Sequence, residues 1–247
     1  QSDILLVLHY MPEKIKNYFG NGSKFNVNIQ YFVEEIPLGT AGALLAVKHM
    51  LEDTFLVLYA DVYSELNLNE FFKFHINQHA DISIVVHPND HPYDSDIVKC
   101  NSNNTVVKFS SHPHQDDYLK NLVNAAMYLI NQSALINYKN NKNEKLDIAQ
   151  DMFPSLLKRD CIIAAYKTCE YIKDMGTPHR LIQVEKDINN GVVDSRKIIN
   201  KRKAIFIDRD GTINIENGHI SKPSNLELFD NSGDAIRLIN KSKFLAI

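Results

Sequence analysis

Apolar residues occur along the chain in short runs, some typical of strands and others with helical spacing. Four runs predict strands, and several of them are too apolar to have a solvated face; they are residues 4–8, 28–33, 54–59 and 82–86. Between them, residues 41–51 and 68–78 have apolar positions at helical spacing. This alternation predicts a layered α/β fold with buried parallel strands and right-handed crossovers.

After residue 96 the pattern changes to pairs of short strands, predicted at residues 97–100, 106–109 and 123–130. With the polar loop at 110–117, they predict an antiparallel lid over a substrate. A helix at 146–159 and a strand at 162–166 should follow. Thr177 and Pro178 then predict a helix start, because threonine caps the first amides and proline lacks the N–H that would need a partner. That helix should end near residue 189.

A polar segment at residues 189–202 predicts a linker between two domains. It contains Gly191 and a basic cluster that begins at Lys201. We therefore place a first domain at residues 1–188 and the start of a second at 203–247. The second domain should open with a buried strand at 204–207, a helix at 232–241 and a strand at 244–247, and we expect it to continue beyond the last residue.

Composition narrows the class of protein. The 247 residues are 44% hydrophobic and 23% charged, which fits a globular protein with one full core and part of another. A net charge of −3 gives no basic surface for nucleic acid or an anionic membrane. The three cysteines show no CxxC spacing, so reduced thiols and a cytoplasmic location are expected. The apolar runs are far shorter than the ~20 residues of a membrane helix.

Two aspartates follow the apolar run at 204–207, in the sequence Asp208-Arg-Asp210-Gly-Thr. Carboxylates at the carboxyl end of a parallel strand can share Mg²⁺ and take part in covalent chemistry. An ordinary turn is the alternative, since Asp-Gly is a common turn pair. The motif resembles the first motif of the HAD phosphatases, and residues 217–229 resemble those that remove the 7-phosphate of heptose bisphosphate. The resemblance implies that Asp208 is the nucleophile, Asp210 the general acid and base, and both are metal ligands.

Small residues follow the strand at 28–33, in the stretch Glu34-Glu-Ile-Pro-Leu-Gly-Thr-Ala-Gly-Ala-Leu. They would let a flat ligand approach the backbone at a helix N-terminus, although a close-packed turn is an equal alternative. Asp61 ends the strand at 54–59, and Asp174 precedes a helix in Asp-Met-Gly-Thr-Pro. Two such acids can hold one Mg²⁺ between them.

Together these motifs resemble the nucleotidyltransferases that join a sugar 1-phosphate to a nucleoside triphosphate, especially guanylyl- and heptose-type members, over residues 1–187. The resemblance implies a Rossmann-like, GT-A-like mixed α/β sheet with helices on both faces, followed by the start of a HAD-like α/β domain. It implies Asp61 and Asp174 as Mg²⁺ ligands. The implied nucleotide and sugar phosphate site consists of Glu34, Pro37, Gly39, Thr40, Gly42, Asn124 and Lys173.

The chain departs from the family pattern in two places. The glycine-rich loop that cradles the triphosphate would precede Gln1, so we do not expect this chain to turn over nucleotide by itself. Where many relatives have Glu-Lys-Pro, this chain has Ser-His112-Pro, so Lys99 or Lys173 would supply the positive charge. His112, His114, Asp116 and Asp117 allow either a metal site or a solvated loop.

The leading hypothesis is a bifunctional enzyme of sugar-nucleotide synthesis that uses Mg²⁺, GTP and a sugar phosphate. It would transfer GMP to a heptose 1-phosphate and hydrolyse the 7-phosphate of heptose 1,7-bisphosphate. The alternatives are a mannose-1-phosphate-type guanylyltransferase with an unrelated HAD phosphatase, and a non-catalytic ligand sensor. Retention of the candidate metal-binding aspartates argues against a sensor. No nucleic-acid or membrane partner is expected, and the oligomeric state is open, a homo-oligomer included.

Overall fold

The structure is a computed structural model that describes residues 2–89, 91–111, 113–114, 119–136, 138, 145–242 and 244–247. Its contacts divide the chain into two compact units, Gln1–Glu185 and Lys186–Ile247. None of the helices in the described part has the length and apolar character needed to cross a membrane.

The strands and helices predicted for the first unit are present, and their ends differ from the prediction by a few residues. In chain order the elements are β1 (Ser2–Leu8), α1 (Pro12–Phe19), β2 (Val27–Val33), α2 (Gly39–Val47), β3 (Thr54–Leu58), β4 (Val62–Ser64), α3 (Leu68–Asn77), β5 (Ile82–His87), β6 (Ile97–Cys100), β7 (Val106–Ser110), β8 (Val123–Asn131), α4 (Ser133–Ile136), α5 (Phe153–Leu157), β9 (Ile163–Lys167), β10 (Ile172–Asp174) and α6 (Pro178–Asn189). A π-helical turn, Ile148–Met152, leads into α5.

The central sheet has the strand order β7-β6-β8-β5-β9, and β3 pairs with β8 beside this path. β8 runs antiparallel to β3, β5 and β6, whereas β5 and β9 are parallel. The sheet is therefore mixed. The predicted antiparallel pairing of these strands is confirmed. They do not form a separate lid, because β8 lies in the middle of this sheet and β6 and β7 continue it. Val98 and Val106 are buried in the same core as Ile84, which explains why these strands belong to the sheet.

The prediction of buried parallel strands holds for β5 and fails for β1 and β3. Residues 82–86 are buried throughout. β1 and β2 form a separate parallel pair, and in β3 no residue is fully buried. Within the described residues β1 and β3 each have one neighbouring strand, so part of their apolar surface stays solvated.

Two apolar clusters cover the two faces of the sheet, as shown by alternate residues of β8. Tyr128 and Ile130 pack in a cluster with α2 and α5. Met127 and Leu129 pack in a second cluster with Phe71 of α3. Helices on both faces, which the resemblance implied, are confirmed.

A two-stranded antiparallel ribbon joins β4 and β10, with Val62 opposite Asp174. Neither three-residue strand was predicted, because so short a segment carries no recognisable period. This ribbon positions the candidate site described below.

The second unit contains α7 (Val192–Ser195), β11 (Ala204–Ile205), α8 (Ser232–Lys241) and β12 (Leu245–Ala246). β11 and β12 are parallel and α8 lies between them in the chain, so the predicted strand–helix–strand order is confirmed. The prediction of a buried strand at 204–207 is wrong, because the strand is short and Phe206 is 80% exposed. β12 is its one partner strand among the described residues. The predicted linker contains α7, whose Val193 is buried.

Candidate active site

The carboxylates of Asp61 and Asp174 approach one point beside Gly176. Asp61 directly precedes β4 and Asp174 ends β10, and the amide of Met175 donates to the Asp61 carbonyl at 2.7 Å. A methyl group built on Gly176 would lie 3.2 Å from Asp174 Oδ1 and 3.2 Å from Asp61 Oδ2. The two oxygens are therefore separated by at most twice that distance. The structure brings together the two acids that the sequence placed 113 residues apart in different motifs.

This pair fits a magnesium ion. Mg²⁺ prefers oxygen ligands, binds through one or two carboxylates and keeps several waters or phosphate oxygens. Gly176 leaves open the space that a side chain would fill between the two carboxylates. Across the described ranges no group of three or more His, Cys, Asp or Glu side chains is placed to hold a metal ion. An ion at Asp61 and Asp174 would complete its coordination shell with oxygen atoms of water or of a ligand.

Arg180 contacts this pair, and the sequence reasoning missed it. Its Nη1 donates to Asp174 Oδ2 at 2.7 Å, while the Gly176 amide donates to Asp174 Oδ1 at 2.7 Å. Arg180 lies in the first turn of α6, and its own amide donates to Thr177 Oγ1. The one sequence signal that could have indicated Arg180 is the occurrence of a basic residue just after the predicted start of a helix at Thr177. Its contact with Asp174 depends on the turn at Gly176, which spacing alone does not reveal.

Lys173, the predicted source of positive charge, neighbours Asp174 on β10 and pairs with Tyr63. Successive side chains of a strand point to opposite faces, so Lys173 leaves β10 on the face opposite Asp174. The cation hydrogen-bonded to Asp174 is Arg180. Lys99, the other candidate, lies on β6 opposite Lys108.

The glycine-containing stretch is held against the chain near Leu146. Leu146 N donates to Leu38 O at 2.9 Å, and Ala41 N donates to Leu146 O at 2.9 Å. Gly39 has φ of 75°, and a methyl group there would overlap the Leu146 carbonyl oxygen. The close-packed turn, which was the alternative to a ligand-binding role in the sequence analysis, thus accounts for Gly39. Glu34, the predicted base-recognition residue, accepts from Leu38 N at 3.0 Å and closes the same loop.

Thr40 is tied to Asp147, a residue that carried no motif. The Thr40 hydroxyl donates to Asp147 Oδ2 at 2.9 Å and accepts from Ile148 N at 2.9 Å. Asp147 Oδ1 caps the π-helical turn by accepting from two further amides. Gly42 is buried inside α2, whereas Pro37 is exposed. Within this motif the structure assigns packing roles to Gly39, Thr40 and Gly42, and their contact with a nucleotide stays a prediction.

Asn124, the predicted sugar-side residue, braces a bulge in β8. Its Nδ2 donates to Tyr128 Oη at 2.9 Å, and its Oδ1 accepts from Ala126 N at 3.3 Å. Ala126 has φ of 54°, and the pairing with β5 shifts register at this place. A side-chain amide has two donors and two acceptor sites, so Asn124 keeps capacity for a sugar hydroxyl.

Tyr59 and Tyr128 link this bulge to the α2 motif. Their rings meet edge to face with centroids 6.1 Å apart, and the Tyr59 hydroxyl is in hydrogen-bonding contact with Thr40 and Tyr128. Burial raises the pKa of both phenols, so both stay neutral at physiological pH. A continuous polar chain therefore runs from Asn124 to Asp147 through neutral hydroxyl groups.

The predicted histidine and aspartate loop is described only in part. His112, Asp116 and Asp117 lie outside the described residues. His114 Nδ1 lies 3.4 Å from Ser110 Oγ.

In the second unit, Asp210 forms a bidentate pair with Arg209. Arg209 Nε and Nη2 each donate to one Asp210 oxygen at 2.9 Å, and Asn214 Nδ2 donates to Oδ1 at 3.2 Å. The hydrogen bonds from Arg209, and then that from Asn214, lower the pKa of Asp210. This arrangement favours the carboxylate form, so the predicted role as an acid requires Arg209 to move away. Asp208 is exposed just beyond β11.

The two aspartates are followed by a tight turn at Gly211. Gly211 has φ of 76°, and its amide donates to Asn214 O at 2.8 Å. Asn214 is fully buried, and its Oδ1 has no hydrogen-bond partner among the described residues. The sequence reasoning missed Arg209 as a partner of Asp210, although it is the adjacent residue.

Comparison with known proteins gives a consistent result for the first unit. Residues 1–191 match the family model described as nucleotidyl transferase. Mannose-1-phosphate guanylyltransferase of Mycobacterium tuberculosis is 28% identical over 194 residues, which cover 78% of this chain and 53% of that protein. The chain thus spans about half the length of the curated relatives it matches.

Solved structures of low sequence identity share the fold. HddC from Yersinia pseudotuberculosis has a TM-score of 0.64 and 21% identity, and the match covers 76% of this chain and 79% of that chain. A second structure of HddC, complexed with GMP-PN, has a TM-score of 0.62 and 20% identity over 75% of this chain and 78% of that chain. These matches establish the mixed α/β fold of the first unit.

Proposed function

Since the chain belongs to the nucleotidyl transferase family, we propose that its first unit transfers a nucleotidyl group from a nucleoside triphosphate to a sugar 1-phosphate. The observation that carries the proposal is the convergence of Asp61 and Asp174 on the space beside Gly176. In the reaction, a phosphate oxygen of the sugar 1-phosphate attacks the α-phosphorus, and pyrophosphate leaves.

The residues of the chain would hold the reactants in line. Asp61 and Asp174 would hold Mg²⁺, which when bound offsets the charge that builds up on the phosphates. The bond between Thr40 and Asp147 would keep the first turn of α2 in place beside the nucleotide. Asn124 would orient the sugar by a hydrogen bond to a hydroxyl group, with its amide braced by Tyr128.

We propose a guanine nucleotide as the donor and heptose 1-phosphate as the acceptor. The likeness to HddC, which has been solved with GMP-PN, supports the guanine nucleotide. Mannose 1-phosphate is the alternative acceptor, and the name of the mycobacterial relative supports it. Glu34 is the residue for base recognition in this proposal, because its carboxylate lies at the start of the α2 loop.

For the second unit we propose the start of a HAD-type phosphatase that removes the 7-phosphate of heptose 1,7-bisphosphate. Its support is the parallel β11–α8–β12 unit, with Asp208 and Asp210 three and five residues after the end of β11. The family match ends at residue 191, so this proposal rests on the motif and on the local fold. An unrelated phosphatase substrate and a non-catalytic sensor are the alternatives. A cytoplasmic location and homo-oligomer formation stay predictions.

The test uses the intact gene product with GTP, ATP, UTP or dTTP and with mannose or heptose 1-phosphate. Pyrophosphate release is measured with Mg²⁺ and with EDTA. We expect nucleotidyl transfer from GTP, and only when Mg²⁺ is present and EDTA is not. Asp61→Asn and Asp174→Asn should each lower it at least about 100-fold, because changes to residues that only support metal ligands already cost about 10- to 100-fold.

Asp194→Asn is the matched control, since Asp194 is also exposed and forms an ion pair with Lys197. It should leave transfer unchanged. Release of phosphate from heptose 1,7-bisphosphate is measured in parallel, and Asp208→Asn should abolish it without affecting transfer. The proposal for the first unit is rejected if nucleotidyl transfer is seen to neither sugar. It is also rejected if Asp61→Asn and Asp174→Asn both keep full activity.

A further inference from the structure

We infer that Tyr59 and Tyr128 are positioning residues for the sugar, because they belong to a polar chain that fixes the side-chain amide of Asn124 in one orientation. The polar chain ends at the carboxylate of Asp147, and every group in it donates toward that carboxylate. It joins the turn at the start of α2, proposed for the nucleotide, to the residue proposed for the sugar. The inference rests on the proposed function, since it assigns these two places to the two substrates.

The direction of the polar chain is set at its Asp147 end. A carboxylate oxygen only accepts hydrogen bonds, so the single hydroxyl proton of Thr40 points to Asp147 Oδ2, at 2.9 Å. The Thr40 oxygen also accepts from the Ile148 amide at 2.9 Å, which leaves it one lone pair. The contact between Tyr59 and Thr40 uses that lone pair. Tyr59 is therefore the donor to Thr40.

The same count continues through the two phenols, since each has one proton to donate. The proton of Tyr59 is given to Thr40, so in its contact with Tyr128 it accepts. The proton of Tyr128 is then given to Tyr59, and Tyr128 Oη accepts from Asn124 Nδ2 at 2.9 Å. Tyr128 is 1% exposed, so bulk water does not compete for these bonds. The amide group of Asn124 must therefore turn its nitrogen toward Tyr128.

A backbone contact independently gives the amide the same orientation. Oδ1 of Asn124 accepts from Ala126 N at 3.3 Å, and a rotated side chain would place two donors face to face there. Within the described residues these bonds leave Asn124 one N–H and one lone pair of Oδ1 for a ligand. A sugar hydroxyl can use either group, because it both donates and accepts. Asn124 thus presents a donor and an acceptor whose places are fixed and do not interchange.

Replacing Asp147 by asparagine gives a sharp test, because it reverses the donor at the end of the polar chain. Asp147 Oδ1 accepts from two backbone amides, so the asparagine oxygen would stay there and its NH₂ group would face Thr40. The Thr40 hydroxyl would then have to donate toward Tyr59. The reversal would reach Asn124, whose amide a backbone contact prevents from turning.

The first experiment follows the side-chain ¹⁵NH₂ signals of Asn124 by NMR in the full protein chain. Asn124→Asp identifies these signals by their disappearance. We expect Asp147→Asn to shift them, and we expect no shift when Asp147→Asn is added to Tyr59→Phe, since phenylalanine interrupts the polar chain. Tyr166→Phe is the matched control and should leave the signals unchanged, because Tyr166 packs against the cluster on the other face of the sheet.

The second experiment measures the KM of the sugar 1-phosphate and of GTP with the intact gene product. Tyr128→Phe should raise the KM of the sugar 1-phosphate about two- to tenfold, the worth of one hydrogen bond, and leave the KM of GTP unchanged. Asp147→Asn should raise the KM of the sugar 1-phosphate when Tyr59 is present and have no such effect in Tyr59→Phe. Side chains that only support the core would give additive effects in this double-mutant cycle.

The outcomes separate the inference from the proposed function. Equal shifts of the Asn124 signals by Asp147→Asn with and without Tyr59→Phe would overturn the polar chain. An unchanged KM of the sugar 1-phosphate in Tyr128→Phe would overturn the positioning role and leave the proposed function standing. Absence of nucleotidyl transfer in the wild type would overturn the proposed function and with it the assignment to a sugar. Circular dichroism checks folding, and Tyr59→Phe, at a less buried position, replaces Tyr128→Phe if that variant does not fold.

Discussion

The hydroxyl of Thr40 donates a hydrogen bond of 2.9 Å to Asp147 Oδ2, across 107 residues of sequence. Thr40 belongs to the motif that was assigned to nucleotide binding, whereas Asp147 belongs to no motif. The bond joins the first turn of α2 to the π-helical turn that Asp147 caps. The candidate nucleotide loop is therefore held in place by a contact that its own sequence does not show.

Replacing Thr40 by valine should lower the free energy of unfolding by about 1.5–3 kcal/mol, the worth of a hydrogen bond to a charged group. Valine keeps the shape but leaves Asp147 Oδ2 and the Ile148 amide without their partner. Urea unfolding followed by circular dichroism measures the change. Thr54→Val removes a more exposed hydroxyl bonded to Asn131 and should cost under about 1.5 kcal/mol. Equal losses in the two variants would contradict the importance of the Asp147 bond.

Gly39→Ala should destabilise the first unit by about 2–5 kcal/mol. The positive φ of 75° costs an alanine about 1–2 kcal/mol, and its methyl group would overlap the Leu146 carbonyl oxygen, at a typical cost of about 1–3 kcal/mol. Gly191 also has positive φ, but a methyl group there meets nothing within 4 Å. Gly191→Ala should therefore show the conformational cost alone. If both variants unfold at the same urea concentration, overlap at Gly39 is refuted.

Gly176→Ala should weaken Mn²⁺ binding at least about tenfold while the fold is kept, as for changes to residues that support metal ligands. The methyl group would lie 3.2 Å from an oxygen of Asp61 and of Asp174, in the space between them. Calorimetric titration with Mn²⁺ measures the effect. Gly233→Ala places its methyl group near Arg237 and should leave metal binding intact. Unchanged affinity in Gly176→Ala would show that the metal does not use this space.

Ala126→Gly should raise the free energy of unfolding by up to about 1.6 kcal/mol. Alanine at φ of 54° is strained by about 1–2 kcal/mol, and the greater entropy of glycine in the unfolded chain offsets about 0.4–1 kcal/mol of this. Ala125, its neighbour in β8, is buried and has no positive φ. Ala125→Gly should therefore destabilise by about 0.5–1 kcal/mol or more. Chemical denaturation measures both changes. If the two substitutions change the free energy of unfolding in the same direction, strain at Ala126 is excluded.

Cys161 should resist alkylation in the folded protein. Burial, and then the Asp81 carboxylate, raise the pKa of its thiol from 9.0 to about 12. Only the thiolate reacts, so at pH 8 iodoacetamide should modify Cys161 roughly 1,000-fold more slowly than after unfolding in urea. Peptide mass spectrometry, with the exposed Cys169 as internal reference, measures the two rates.

The same raised pKa makes stability depend on pH. A thiol that stays protonated in the folded state but ionises in the unfolded state contributes stability that is fully present below about pH 9. That contribution is lost as the pH rises from 9 toward 12. The loss should be smaller in Cys161→Ser, measured by thermal unfolding at pH 8 and pH 10. Equal losses in both proteins would contradict a protonated Cys161 thiol.

The elements predicted well are those with strong local signals. α8 was predicted at residues 232–241, and α6 from Thr177 and Pro178 to near residue 189, because amphipathic spacing and helix-start residues are local properties. The placement of β8 could not be predicted in this way. A short apolar strand has the same pattern at the centre of a sheet and in a lid, and only its neighbours distinguish the two.

The sequence by itself determined the order of strands and helices, the acidic residues available for a metal, and the resemblance to a nucleotidyltransferase. The tertiary structure alone decided that Asp61 and Asp174 meet at Gly176, and that Arg180 forms an ion pair with Asp174. It also decided that Gly39 packs against the Leu146 backbone and that Thr40 is hydrogen-bonded to Asp147. The physical reason is that propensity and periodicity depend on neighbours in the chain. Contacts between carboxylates, arginine and backbone depend instead on how distant segments pack, here through a ribbon of two three-residue strands with no period of their own.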